Sequence, residues 1–214
     1  MTFDSPARAE PISKRDELRY GPLGEHCIHI CVDMQRLFAE PTEWQMPWME
    51  KILPTVVELV SAHPAQTLFT RFIPALRPGQ GVGMWRHYYE RWRTMTVEEL
   101  GAPMIDLLRQ LAAFSPPAKI FDKPVYSPWI GTDLHTILRK ARIETVVVSG
   151  GETDVCVQAT VMGAIDWGFR TILATDALCS SSDEARDALM EFYQDRLSEQ
   201  LETATVETIL RHWR

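Results

Sequence analysis

TVVVSGGETDVCVQAT, residues 145–160, begins as a strand and ends as a helix. Thr145 to Val148 is a short β-branched run, and the apolar pattern stops at Ser149, Gly150 and Gly151, so a buried strand enters a turn. Thr153 and Asp154 are candidate caps, and Val155, Ala159, Met162 and Gly163 follow at helical spacing. Cys156 therefore falls in the first turn of a helix that follows a strand. Unpaired backbone N–H groups and the positive end of the helix dipole favour an anion there, which lowers a thiol pKa. The same N–H groups suit the oxygen of a tetrahedral intermediate if the thiolate attacks a carbonyl. A buried, inert cysteine is the competing reading, and the rest of the chain has to choose between them.

Working outward, five further strand-like runs occur at residues 26–32, 66–70, 119–121, 171–174 and 200–203. Helical patterns separate them. Residues 48–62 carry one through Met49, Ile52, Val56, Leu59 and Val60, with Pro54 predicting a kink or a late start. Residues 103–114 form a shorter one, Thr132 or Asp133 caps a helix to Ala141, Ser181 and Glu184 have capping-box spacing for a helix to about Leu197, and Thr205 caps the last. Strands alternating with helices predict an α/β fold, an open parallel sheet with helices on both faces. Right-handed crossovers place every strand's carboxyl end on one side, where such sheets bind ligands. Asp33, Lys123 and Cys156 each follow a different strand on that edge. Taken singly, Asp33 reads as a turn residue and Lys123 as a surface charge; together they suit covalent acyl transfer. Lys123 favours the thiolate, Asp33 accepts the thiol proton and passes it to a leaving amine, and turn N–H groups hold the oxyanion.

The whole chain bounds this reading. Its 214 residues fit one large α/β domain, taken as residues 26–214 behind a polar arm, residues 1–25, that lies over the domain or is mobile. No apolar run reaches the roughly eighteen residues that span a bilayer, and the first residues lack a signal-peptide core, so the cytoplasm is the expected location. A net charge of −7 argues against nucleic acid or an anionic membrane as partner. Four cysteines make no disulfide scaffold, and Cys27 and Cys31, about 13 Å apart on one strand, read as core thiols. The absence of Cys-x-x-Cys and His-x-x-x-His pairs gives no indication of a zinc site. Residues 71–100 are the least regular part, a long excursion with Arg71, Arg77, Arg86, Arg91 and Arg93 as possible carboxylate contacts and Trp85, Tyr88, Tyr89 and Trp92 as possible pocket walls.

From His26 to the C-terminus the chain resembles the isochorismatase-like cysteine hydrolase superfamily. The resemblance is carried by Asp33-Met34-Gln35 with Phe38, by Lys123 with Ser127-Pro128-Trp129, and by Gly150 with Thr153-Asp154-Val155-Cys156-Val157. It implies a three-layer α/β/α sandwich around a six-stranded parallel sheet of order 3-2-1-4-5-6. It also implies a Cys156, Asp33 and Lys123 triad and amidase-type hydrolysis through a thioester. A cis peptide between Gly151 and Glu152, an oxyanion hole from the N–H groups of Glu152 and Cys156, and a homo-oligomer are implied as well. Nicotinamidases of the family carry a metal-binding Asp-x-His and further histidines after the second strand, where this chain has only His87, so no metal and no other cofactor is expected. Members that hydrolyse the isochorismate vinyl ether lack the cysteine, so Cys156 points to amides. Trp129 stands where the family usually has phenylalanine. The expectation is a metal-free amidohydrolase for a small linear amide, carbamoyl or ureido compound, releasing ammonia. Phe38, Trp44, Trp85, Tyr126 and Trp129 are the expected pocket wall, with Arg71 or Arg86 as a carboxylate clamp. Two other classes remain open: a catalytically silent ligand-binding or interaction module on the same fold, and a redox-active thiol protein using Cys156 and perhaps Cys179.

Overall fold

The structure, a computed structural model, describes residues 17–214, with Asp183 described in its backbone alone. Residues 1–16 of the expected arm lie outside the described residues. The remainder of the arm lies on the domain: Leu18 and Leu23 are buried, and Leu23 N donates to His212 O at 2.8 Å.

Strands β1 (Cys27–Val32), β2 (Thr67–Phe72), β3 (Lys119–Lys123), β4 (Thr145–Gly151), β5 (Arg170–Cys179) and β6 (Leu201–Ala204) form one sheet of order β3-β2-β1-β4-β5-β6. Every pairing in it is parallel. The side-chain period of two divides the strand residues between two cores. Cys27, Cys31, Phe69, Val147, Ile172 and Ala174 face one side. Ile30, Val32, Leu68, Val146, Val148 and Leu173 face the other. Both faces are covered, which is why these strands read as continuous apolar runs.

The first face is closed mainly by two helices, Met49–Ala62 and Val206–His212. The former runs unbroken through Pro54. A mid-helix proline costs about 3 kcal/mol. Burial of Met49, Ile52, Val56, Leu59 and Val60, at no less than about 1.5 kcal/mol each, outweighs it. The second face is closed by helices Leu134–Lys140, Gln158–Asp166 and Asp183–Arg196. Ser182, and not Ser181, caps the last of these, its Oγ accepting from Ala185 N. The expected helix over 103–114 is broken: a 3-10 turn, Ala102–Ile105, and a single helical turn, Arg109–Ala112, flank Leu107, which bridges to Gln35. The 71–100 excursion contains a helix, Trp85–Arg91, and short turns that return to β2's end through Val97 N to Ala75 O, 3.0 Å. No described helix is long and apolar enough to cross a membrane.

Candidate active site

Asp33 leaves β1 at φ 48° and is fully buried. Beside it, Gly150 at φ 105° lets β4 approach so closely that a Cβ would lie 2.1 Å from Val32 O. The backbone N of Asp33 donates to Thr70 O at 3.2 Å, and Thr70 Oγ1 donates to Asp33 Oδ1 at 2.6 Å. Gln35, also buried, accepts from Phe72 N at 2.7 Å and donates to Phe72 O and Ile105 O, pinning the end of β2. Lys123 closes β3 and is fully buried. Its Nζ stands 2.7 Å from Asp33 Oδ2, donates to Val125 O at 3.3 Å, and lies 5.2 Å from the centroid of Phe72. For two opposite charges taken wholly out of water, only their mutual attraction and their hydrogen bonds offset the desolvation of each. Burial pulls the Lys123 pKa down, but the charge of Asp33 and the hydrogen bonds to Asp33 and Cys156 outweigh it and leave it above the ordinary value.

Cys156 is 5% exposed. It does not sit in an α-helical first turn: Thr153–Val157 forms one wide π turn before the α-helix Gln158–Asp166 begins. Neither expected cap caps. Thr153 Oγ1 donates to Cys179 O at 2.7 Å, and Asp154 Oδ1 accepts from Ser180 Oγ at 2.6 Å, so both tie the turn to the end of β5. Val155 N and Val157 N both donate to Glu152 O, and Thr160 Oγ1 donates to Cys156 O at 2.7 Å. The Gly151–Glu152 peptide is cis.

The expected lowering of the thiol pKa is overturned. Burial pushes the Cys156 thiol up and the negative charge of Asp33 adds to that, while Lys123 pulls the other way with a hydrogen bond and its charge and does not prevail. The thiol is therefore protonated at rest, within reach of both partners. Cys27 and Cys31 are pushed up to about 12, chiefly by burial, as befits core thiols. All four cysteines are free and buried.

Cys156 opens onto a cavity of about 300 Å³. Of the expected wall, Phe38, Trp44 and Tyr126 line it, together with Glu152. Trp85 stands behind that lining, its ring centroid 4.9 Å from Tyr126 and 6.4 Å from Phe72. Trp129 is not at the cavity. Its Nε1 donates to Thr160 O at 2.9 Å, its ring stacks on Phe169, and Gly163 leaves it room, so it fastens the helix that follows the Cys156 turn. Neither arginine clamp is present. Arg71 lies on the opposite face of β2 from Thr70 and Phe72 and pairs with Asp122 at 2.7 Å and Asp106 at 3.4 Å; Arg86 is exposed on its helix. The cavity also takes Phe72, Tyr88, Trp92, Glu43, Gln45 and Ser181. Tyr88, Trp92 and Phe72 all fall in the 71–100 excursion, the first two among its candidate walls and Phe72 without an expected role; Ser181 is expected only as a cap.

Among the described residues no group of three His, Cys, Asp or Glu side chains could hold an ion. His87 is largely exposed and sits 2.9 Å from Glu90.

The fold and this buried thiol, carboxylate and ammonium cluster define a doubly wound α/β protein whose chemistry is gathered at the carboxyl edge of the sheet. Residues 27–205 match the Isochorismatase domain model, and the chain belongs to that family. Nicotinamidase 3 of Arabidopsis thaliana is 31% identical over 187 residues, 87% of each chain. The isochorismatase family protein YwoC of Bacillus subtilis is 35% identical over 75 residues, and that match spans 35% of this chain and only 40% of YwoC. A cysteine hydrolase from Pseudomonas syringae pv. phaseolicola 1448A superposes with a TM-score of 0.74 at 26% identity, covering 87% of this chain and 92% of that one.

Proposed function

We propose that this chain is a metal-independent cysteine amidohydrolase that cleaves a small amide, carbamoyl or ureido compound through a thioester on Cys156 and releases ammonia. The observation that carries the reading is the completely buried Lys123–Asp33 ion pair in reach of the thiol at the base of an aromatic cavity. The likeness to a nicotinamidase and to a cysteine hydrolase supports it.

Asp33 Oδ2 meets Lys123 Nζ at 2.7 Å, and a carboxylate oxygen facing one such donor keeps a further lone pair to accept the thiol proton. As sulfur attacks the carbonyl carbon, the proton passes to Asp33 and the carbonyl π pair moves to oxygen. The N–H groups of Glu152 and Cys156 are the donors we assign to that oxyanion; one such donor is typically worth about 3 kcal/mol. Collapse of the intermediate breaks the C–N bond, and Asp33 returns its proton to the leaving nitrogen, which departs as ammonia. Water then attacks the thioester with Asp33 as base, and the thiol is regenerated with release of the acid. The ammonium of Lys123 stabilises the carboxylate and the thiolate in turn. Because the resting thiol is protonated, the thiolate forms only as the substrate is attacked.

The test is ammonia release by wild type and by Cys156→Ala over a panel of carboxamides, carbamoyl and ureido compounds, with and without chelator. Turnover abolished in the variant and indifferent to chelator is the expected result. Loss of activity on chelation would overturn metal independence, and no release from any compound would overturn the amidohydrolase reading.

A further inference from the structure

The lining of the cavity has one sign of charge. It carries the carboxylates of Glu43 and Glu152 and no lysine, arginine or histidine. Lys123 lies beneath it, fully buried and matched by Asp33. Glu152 is already engaged, accepting from Ser181 N at 3.1 Å and from the Ser181 hydroxyl. Glu43 stands exposed and accepts from Thr94 Oγ1.

Besides Gln45, Val155, Cys156 and Ser181, the rest of the wall is rings. Trp44 is their hub, with centroids at 6.2 Å from Phe38, 6.0 Å from Phe72, 5.8 Å from Tyr88 and 6.1 Å from Trp92. Tyr126 packs on Phe72 and sets its ring edge-on to Tyr88, centroids 6.5 Å apart. The face of each ring carries partial negative charge and attracts a cation within about 6 Å of its centroid. Two of these rings already do so: Arg91 Cζ lies 5.1 Å from the centroid of Trp92, and Lys123 Nζ lies 5.2 Å from that of Phe72. A carboxylate brought into the same space would leave water for an aromatic wall and two like charges, with Arg91 and Lys123 both outside the lining and Lys123 already matched by Asp33.

Resting on the reading of Cys156 as the amide-cleaving nucleophile, we propose that the cavity selects amides whose far end is a cation of the ammonium or alkylammonium class. The rings led by Trp44 hold that end, Glu43 supplies its counter-charge, and compounds bearing a carboxylate are rejected. The cationic end keeps its bonds throughout; only the C–N bond of the amide is exchanged for C–O from water.

Three probes of similar size test this: 2-(trimethylammonio)acetamide, its uncharged isostere 3,3-dimethylbutanamide, and succinamate. Binding is read on Cys156→Ala by quenching of tryptophan fluorescence, and ammonia release on wild type. The cation should bind at least about tenfold more tightly than its isostere, with succinamate weakest. Glu43→Gln should cut the ratio of cation to isostere affinity at least about threefold. Equal or tighter binding of the isostere, best binding of succinamate, an unchanged ratio in Glu43→Gln, or no measurable binding of the cation at millimolar concentration would each overturn the proposal. Preferential binding of the cation with no ammonia from wild type would instead overturn the hydrolysis reading and leave cation selection standing.

Discussion

Asp33→Asn removes one negative charge and little volume from a place where the neighbouring Lys123 has no exposure to water. The ammonium 2.7 Å away would then be a buried charge without a counter-charge. Breaking a buried pair from one side costs about 3–5 kcal/mol, because the remaining partner keeps its desolvation penalty. The loss should be greatest at low pH: with burial no longer opposed by the charge of Asp33, the Lys123 pKa falls in the folded variant below its unfolded value, so the unfolded chain binds the proton more readily and stability recovers as pH rises. Lys123→Met should cost a similar amount by stranding the carboxylate. In the double variant neither charge remains, and its loss of stability should fall at least about 3 kcal/mol short of the sum of the single losses. Urea unfolding of the four proteins at fixed pH measures this directly. Ammonia release separates folding from chemistry: it should stay down by about 10²–10⁴-fold in the double variant, which has regained stability but not its proton acceptor. Additive losses in the cycle, or a loss for Asp33→Asn below about 0.5 kcal/mol, would refute the assignment of a buried ion pair that holds both charges.

Other perturbations test the supports of the site. Gly163→Ala places a Cβ 2.1 Å from Trp129 Cδ1 and threatens the Nε1 bond to Thr160 O, so stability should fall by about 2–4 kcal/mol from overpacking and the lost bond, with a shift in tryptophan emission; a loss under about 0.5 kcal/mol would contradict this packing. Thr70→Val removes the 2.6 Å donor to Asp33 and should lower kcat about tenfold at unchanged KM, whereas Thr70→Ser should restore it; equal losses in both would show that Thr70 serves packing and not the carboxylate. His29, buried with Nε2 2.7 Å from Ser149 Oγ, is pushed down to about 3 by burial, with His63 adding to the effect. Its unfolded value is about 6.5, so below that pH the unfolded chain binds a proton that the folded chain refuses, and stability drains away as pH falls towards about 3. The contribution is up to about 1.4 kcal/mol per pH unit, and urea midpoints at pH 7 and pH 5 should converge in His29→Gln by that slope; an unchanged pH dependence would contradict it.

The sheet was legible because each strand is buried on both faces and so appears as an apolar run, and because turns and capping residues punctuate the runs. The edge residues followed from the topology alone: Asp33, Lys123 and Cys156 end up together since parallel strands share one carboxyl side. What failed depended on faces and exposure. Arg71 faces away because β2 continues to Phe72, so that Thr70 and Phe72 point to the site and the residue between them cannot. A strand read only to residue 70 conceals this parity. Trp129 lies against Gly163, a pairing between a turn and a helix that no local pattern announces. The thiol pKa went the other way because the sequence placed Cys156 at a helix terminus but said nothing of its burial, and burial with Asp33 outweighs Lys123. Tyr88, from a helix in the excursion, and Trp92, the residue that ends it, form part of the cavity wall.

The most direct measurement is the mass of wild-type protein quenched in acid during turnover of any amide it hydrolyses, followed by peptide mapping. The account expects an adduct equal to the substrate less ammonia on the peptide containing Cys156, absent from Cys156→Ala, which also releases no ammonia. Ammonia release at the wild-type rate by Cys156→Ala would contradict it.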